Sequence, residues 1–237
     1  MSRKAVLFDL DGTLLPMDQQ QFVRIYFGEL AKKFAPYGYP PKEFIDAIWA
    51  GIAAMSSGDG QRTNEQSFWA CFTKIFGQQA LAHEPVFEDF YKKEFDAASA
   101  ATAPTAQARR VIDLLHGHGI QTVLATNPVF PAVATQRRMK WAGLSPDDFV
   151  LYTTFENSRY CKPSLDYYRD ILQTLDLCAE DCLMVGNDME EDMVAQKLGM
   201  QVFLLTDCLI NPRQRAISDY PHGGFEELFE FLEKSFL

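Results

Sequence analysis

Apolar residues recur along this chain in two rhythms, which change over near residue 17 and again near residue 104. The first short run, Ala5, Val6, Leu7 and Phe8, is continuous, as expected of a strand buried on both faces. From about residue 109 to the end, helical and strand-like segments alternate. RRVIDLLHGHG predicts a helix stopped by glycine, IQTVLATN a buried strand ending in polar residues, and VATQRRMKWAGL a helix. DFVLYTTF reads as a strand, SLDYYRDILQTLDL as a helix capped by Ser164, and CLMVGND as a strand running into a loop. EEDMVAQKLGM predicts a further helix, QVFLLTD the last strand, and PHGGFEELFEFLEKSFL a closing helix with His222 in its leading turn. Such a β-α-β succession makes a parallel sheet covered on both faces, with ligands expected beyond the carboxyl ends of the strands.

Between those two regions the period is helical throughout. DQQQFVRIYFGELAKKF, PKEFIDAIWAGIAAM, NEQSFWACFTKIF and EPVFEDFYKKEF read as four helices separated by Pro, Gly and Ser signals, with no strand among them. AASAATAPTAQA, at 97–108, has the composition of a linker. The predicted organisation is therefore an α/β core from 1–16 and 104–237, a Rossmann-like parallel sheet, interrupted by an all-helical cap domain at 17–103. Core packing accounts for the many aromatic residues of the cap. Arg62, in the loop SSGDGQRT, is the one cap side chain singled out as able to reach a second anionic group.

Charge narrows the possible partners. A formal charge of −10 opposes general binding to nucleic acid or to an anionic membrane surface, both of which recruit clustered Lys and Arg. No apolar run approaches the roughly 20 residues of a bilayer span, and the N-terminal apolar stretch is too short for a signal-peptide core. The expectation is a soluble, cytosolic protein. Its five cysteines are scattered without CxxC spacing, which points to reduced, mostly buried thiols rather than a zinc site.

The chemistry gathers at the predicted strand ends. Asp9 and Asp11 follow the first strand, and alternate residues of an extended segment project to one side. Two carboxylates that close repel unless a cation or a shared proton offsets the repulsion. The next strand ends in Thr126 and Asn127, a hydroxyl and an amide able to hold phosphoryl oxygens. Lys162 precedes Pro163 and a helix, and Asn187, Asp188 and Asp192 follow another strand. Acids, one lysine and hydroxyls at parallel strand ends suit Mg²⁺ and a phosphate, because hard cations take oxygen ligands and Mg²⁺ binds through one or two carboxylates plus substrate phosphate.

FDLDGTLL, ATN, CKP and GNDMEED, in that order, resemble the four motifs of the haloacid dehalogenase-like (HAD) hydrolase superfamily, over residues 5 to about 207. The resemblance implies a Rossmann-like core with a helical cap inserted between the first and second motifs. It also implies that Asp9 is the nucleophile, forming an aspartyl-phosphate, and that Asp11 is the general acid and base. Asp9, the main-chain carbonyl of Asp11 and Asp188 would hold Mg²⁺. Thr126 and Asn127 would bind the phosphoryl group, Lys162 would pair with Asp9 and phosphoryl oxygens, and Asp192 would orient Lys162 or metal-bound water.

GNDMEED departs from the commoner GDxxxD or GDxxxxD form. Matching the acids four apart makes Asp188 the direct ligand and Asn187 an outer donor; matching the residue after glycine makes Asn187 a neutral ligand. The first is favoured because an anion is the stronger partner for Mg²⁺. Asp11 argues for phosphoryl transfer over dehalogenation. The implied activity is a Mg²⁺-dependent phosphatase acting on a small phosphorylated metabolite, with a phosphomutase, a phosphonatase or a non-catalytic binding module on the same scaffold as alternatives.

Overall fold

The computed structural model describes residues 4–237. Six parallel strands form one sheet: β1 (Ala5–Phe8), β2 (Gln121–Leu124), β3 (Leu151–Tyr152), β4 (Cys182–Gly186), β5 (Gln201–Leu205) and β6 (His222–Gly223), in the order β3-β2-β1-β4-β5-β6. Phe8 is in register with Leu124 of β2 on one side and Val185 of β4 on the other. Beyond Phe8 the ladder continues, with the Asp9 amide donating to the Val185 carbonyl (2.9 Å) and the Ala125 amide to the Phe8 carbonyl (2.7 Å). Asp9 thus leaves the central strand at the point where the strand order reverses, which is where open α/β sheets form their ligand crevice.

The continuous apolar run of β1 is divided between two cores. Val6 and Phe8 belong to one buried cluster and Ala5 and Leu7 to the other, the period-two alternation of a strand with both faces covered. Helices α5 (Ala106–Gly117), α6 (Ala132–Trp141) and α8 (Phe225–Ser235) contribute to the first cluster, and α7 (Leu165–Leu175) to the second. Each fully buried Phe or Leu in these clusters contributes roughly 1.5–3 kcal/mol relative to exposure.

Between β1 and α5 stand α1 (Gln19–Phe34), α2 (Pro41–Ser56), α3 (Asn64–Phe76) and α4 (Glu84–Lys92), with 3₁₀ segments at Gln78–His83 and Glu94–Ala101. Their aromatic residues pack on one another, Phe34 on Phe44 at 4.7 Å between ring centroids and Tyr26 on Phe27 at 4.8 Å. This apolar interior is continuous with the first sheet cluster through Leu10, Leu14, Leu15 and Met17. The two chain segments that join the helices to the sheet lie side by side. The Asp18 amide donates to the Ala101 carbonyl (2.9 Å) and the Ala103 amide to the Pro16 carbonyl (2.7 Å).

α3 starts directly on the strand-end loops. Thr63 and Gln66 form a reciprocal capping box, and the Asn64 and Glu65 amides donate to the Ser158 and Phe155 carbonyls, both at 2.8 Å. The buried Asn64 side chain donates to the Pro128 carbonyl at 3.1 Å.

Some elements differ from the expectation. EEDMVAQKLGM does not form an α-helix: only a 3₁₀ segment, Met193–Leu198, is found, because the preceding residues are tied into a turn by Asp188. DFVLYTTF pairs only over Leu151–Tyr152, and His222 stands in the short edge strand β6 rather than in a turn. Of the five free cysteines, Cys161 and Cys182 are buried, Cys71 and Cys208 partly so, and Cys178 is exposed. Among the described residues no helix is long and apolar enough to cross a membrane.

Candidate active site

The two glycines of the strand-end loops are fixed by close approach. Gly12 has φ +90°, which L-residues rarely adopt, and a Cβ there would lie 2.3 Å from Asn187 Nδ2. A Cβ at Gly186 would lie 2.1 Å from Asp192 Oδ2. The first contact lets the loop after β1 fold against the loop after β4, so that motifs far apart in the chain share one site, and the second folds the β4 loop back on its own strand.

At its centre is a buried ionic triad. Lys162 Nζ donates to Asp9 Oδ1 at 2.9 Å and to Asp192 Oδ1 at 2.6 Å, with its side chain fully buried. Desolvation alone would lower the lysine pKa, but Asp192 and Asp9 carry it well above the ordinary range, so Lys162 stays charged. Burial raises Asp192 against the opposing pull of Lys162. The second oxygen of Asp192 accepts the Asp188 amide at 2.9 Å. The other oxygen of Asp9 accepts the Thr13 hydroxyl at 3.3 Å, and Thr13 also lies 3.1 Å from Asn187 Oδ1.

Asp11 is held differently. Its Oδ2 pairs with the guanidinium of Arg138, a fully buried arginine of α6 that also donates to Thr135 Oγ1 (3.3 Å) and stacks 4.4 Å over the Phe130 ring. Asp11 Oδ1 is buried without a hydrogen-bond partner. Burial raises the Asp11 carboxyl, Arg138 opposes this, and the neighbouring Asp9 raises it further; the net shift is upward.

Thr126 and Asn127 lie at the end of β2. The Thr126 carbonyl accepts hydroxyls from Thr153 (2.7 Å) and Tyr167 (2.9 Å), which fixes the main chain. Asn127 Nδ2 lies 3.1 Å from both oxygens of Glu191, and Asn127 Oδ1 is buried and unpartnered. Glu191 is pushed up to about 8, by burial first and then by Asp192, Asp188 and Asp9, with Lys162 opposing. Its main-chain carbonyl is anchored by the Tyr168 hydroxyl at 2.6 Å.

A stability consequence follows for Glu191. Its folded pKa lies above the ordinary glutamate value, so the folded state keeps this proton after the unfolded chain has released it. Stability therefore falls as pH rises from the ordinary glutamate value through about 8. Glu191→Gln is expected to remove this slope, with a gain over wild type growing to on the order of 2–4 kcal/mol at about pH 8. Urea unfolding in chelator across that range measures it; parallel wild-type and variant curves would refute it.

The sequence-predicted residues are thus distributed as follows. Asp9, Lys162 and Asp192 meet directly, Asn187 joins them through Thr13, and Asp11 is drawn aside to Arg138. Asp188 turns one carboxylate oxygen to the amides of Glu190 (2.7 Å) and Glu191 (2.9 Å). Arg62 is exposed. Sequence reasoning missed Arg138 and Glu191. For Arg138 a signal was present: it lies four residues after buried Ala134, on the inner stripe of α6.

The donor set has the oxygen character that suits Mg²⁺. Among the described residues no three His, Cys, Asp or Glu side chains converge as a metal cage. A Mg²⁺ ion does not require one, since it keeps several waters and binds through one or two carboxylates plus substrate phosphate. The buried, unpartnered Asp11 Oδ1 and Asn127 Oδ1 leave oxygen acceptors open in this site, as a hydrated cation and a phosphate ester require.

Comparison with known proteins places these features in context. A family model of haloacid dehalogenase-like hydrolases matches residues 3–199. In fold the chain is similar to a HAD phosphatase from Thermococcus onnurineus (TM-score 0.61, 20% identity, 99% of this chain and 100% of that one). It is also similar to the HAD-hydrolase YfnB from Bacillus subtilis, whose structure is bound to magnesium (TM-score 0.57, 18% identity, 98% and 100%). A curated relative, the sesquiterpene phosphatase astK of Aspergillus oryzae, is 27% identical over 115 residues, which span 48% of this chain and 57% of astK.

Proposed function

We propose, for a chain that belongs to the haloacid dehalogenase-like hydrolase family, that its reaction is the Mg²⁺-dependent hydrolysis of a phosphate monoester through an aspartyl-phosphate on Asp9. The observation that carries this reading is the Asp9 carboxylate, fixed by buried Lys162 and by Thr13 at the switch point of the sheet, with a second acid two residues later. The names of the relatives, a sesquiterpene phosphatase and a HAD phosphatase, support it.

In this mechanism an Asp9 oxygen attacks phosphorus while the bond to the leaving oxygen breaks. Asp11 acts as the general acid and delivers a proton to the departing alkoxide; burial and the neighbouring Asp9 shift its carboxyl upward, the direction this role needs, and the role requires it to turn from Arg138. Water then adds to phosphorus, the bond to Asp9 breaks, and Asp11 takes the water proton back. Lys162 holds Asp9 in line and faces the phosphoryl oxygens with a permanent charge, Asp192 holds Lys162, and Thr126 with Asn127 binds the phosphoryl group. Bound at the Asp9 end of this site, Mg²⁺ would neutralise charge between the carboxylate and the dianionic ester. The four helices of 19–101 act as the cap that closes over the ester.

For the metal ligands the contacts favour Asp9, the Asp11 carbonyl and the Asn187 amide oxygen, since Asn187 is the residue of the β4 loop packed against Gly12 and Thr13. Asp188, with one oxygen committed to two amides, is the alternative through its second oxygen. Asn187→Ala is accordingly expected to raise the Mg²⁺ concentration for half-activation by roughly tenfold or more, and Asp188→Ala by less. Mg²⁺ activation curves of the two variants decide, and the reverse order would make Asp188 the ligand. The function itself is tested by Mg²⁺-dependent release of p-nitrophenol from p-nitrophenyl phosphate, suppressed by chelator. Inactivity on this ester and on a broad phosphate panel would sink it.

A further inference from the structure

A cavity of about 440 Å³ lies between helices α1–α4 and the loop leaving β2, within the size range of small-molecule sites. Tyr26, Ile48, Phe68, Trp69, Phe87 and Phe130 give it an apolar, largely aromatic wall. Two features of the loop leaving β2 bring the cavity close to the candidate active site. Its loop wall begins at Val129, two residues past Asn127, a chain distance of about 7 Å. Phe130, a wall residue, is also the ring beneath the Arg138 guanidinium that pairs with Asp11.

The polar groups around the cavity are mostly committed elsewhere. The Tyr26 and Tyr91 hydroxyls bond each other at 2.8 Å. Glu156 accepts the Ala132 amide at 2.9 and 3.1 Å, the Gln136 amide donates to Tyr152, and Lys92 is paired with Glu88. A polyhydroxylated body would find few partners here beyond the Glu65 and Glu84 carboxylates, and most of its hydroxyls would be desolvated without compensation. The charge around the cavity is mainly acidic: Glu65, Glu84, Glu88 and Glu156 line it against a single lining cation, Lys92. Their field opposes a second phosphate or carboxylate on the ligand.

We infer that the ester hydrolysed is the monophosphate of a bulky hydrocarbon alcohol, whose chain fills this cavity while its phosphate lies at Thr126 and Asn127. The inference rests on the phosphatase reading and adds the substrate class to it. Apolar burial gives such a site its selectivity, at roughly fourfold per methylene removed from water.

The decisive comparison is kcat/KM for farnesyl monophosphate, glucose 6-phosphate and fructose 1,6-bisphosphate, with p-nitrophenyl phosphate as the generic ester. The farnesyl ester is expected to exceed both sugar esters at least tenfold. Equal or better turnover of either sugar ester overturns the inference and leaves the phosphatase standing, whereas inactivity on every ester removes the phosphatase and the inference together. Ile52→Asp, which places a charge in the wall, is expected to lower the farnesyl to p-nitrophenyl ratio at least tenfold; an unchanged ratio in a folded variant overturns the inference. Binding is read without turnover from Trp69 fluorescence in the full chain carrying Trp49→Phe and Trp141→Phe. Titration with geraniol in chelator is expected to give a saturable change, and the lack of one counts against occupancy of the cavity.

Discussion

Asp9→Asn is expected to lower turnover of any phosphate monoester by roughly four to six orders of magnitude, the scale on which removal of an attacking nucleophile is felt. An amide is not a nucleophile toward phosphorus, so no aspartyl-phosphate forms. The substitution is nearly isosteric: the Asn oxygen can still accept from Lys162, while its amide nitrogen would donate to Thr13 Oγ1, whose hydroxyl can turn to donate to Asn187 Oδ1. Folding should therefore survive, with Lys162 balanced by Asp192 alone. Rapid-quench analysis with a ³²P-labelled ester completes the test: wild type should carry acid-stable label on the protein and the variant none. Wild-type-like turnover in Asp9→Asn would exclude Asp9 as the nucleophile.

Lys162→Met is expected to be costly in stability as well as in activity. The ammonium is the shared counter-ion of two buried carboxylates, and removing one partner of a buried ion pair typically costs about 3–5 kcal/mol, because the remaining charge has lost its compensation. The acids can escape only by taking up protons, so the variant should lose stability as pH rises above the ordinary carboxylate range. Pairing it with Asp192→Asn removes one of the stranded charges and is expected to restore part of the loss, giving a coupling energy in the double-mutant cycle. Urea midpoints of the four proteins measure this, and strictly additive effects would mean that the triad is not energetically coupled. Activity should not return in the double variant, because Asp9 still lacks its lysine.

How much of this was legible in the sequence depends on the range of the interaction. The run Ala5–Phe8 declared itself as a doubly covered strand because both its neighbours and its period are local, and Asp9 inherited its place from that strand. Lys162, Thr126 and Asn187 were located by the same reasoning, each as the residue after a predicted strand or before a predicted helix. Ser164 at the start of α7 followed from capping, and its hydroxyl does accept the Asp166 amide. The destination of each side chain was not legible. Arg137 and Arg138 are identical as letters, and only the packing of α6 buries the second beneath Asp11. Glu191 carries no local signal, and only the turn at Asp188 aims it at Asn127. Between Asn187 and Asp188 the sequence reading favours Asp188, whereas the proposal of Asn187 as ligand rests on tertiary contact, since consecutive residues leaving a strand point opposite ways. The spacing of the aromatic residues of α1–α4 predicts packing, and most do pack; the cavity among them is a property of how four helices and a loop leave a gap.

The side-by-side segments at Pro16–Asp18 and Ala101–Ala103 bear on how the chain folds. β1 must find β2 across more than about a hundred residues, because Ala5 pairs with Gln121, and closing so long a loop of disordered chain is entropically expensive and slow. If the intervening helices form first from their local contacts, their two ends emerge already hydrogen-bonded to each other. The loop left to close is then only residues 9–16 and 103–120, the second mostly the helix α5. On this view the helical insertion, besides covering the strand ends, acts during folding as a clasp that lets the central strand of the sheet behave as a near neighbour of the next.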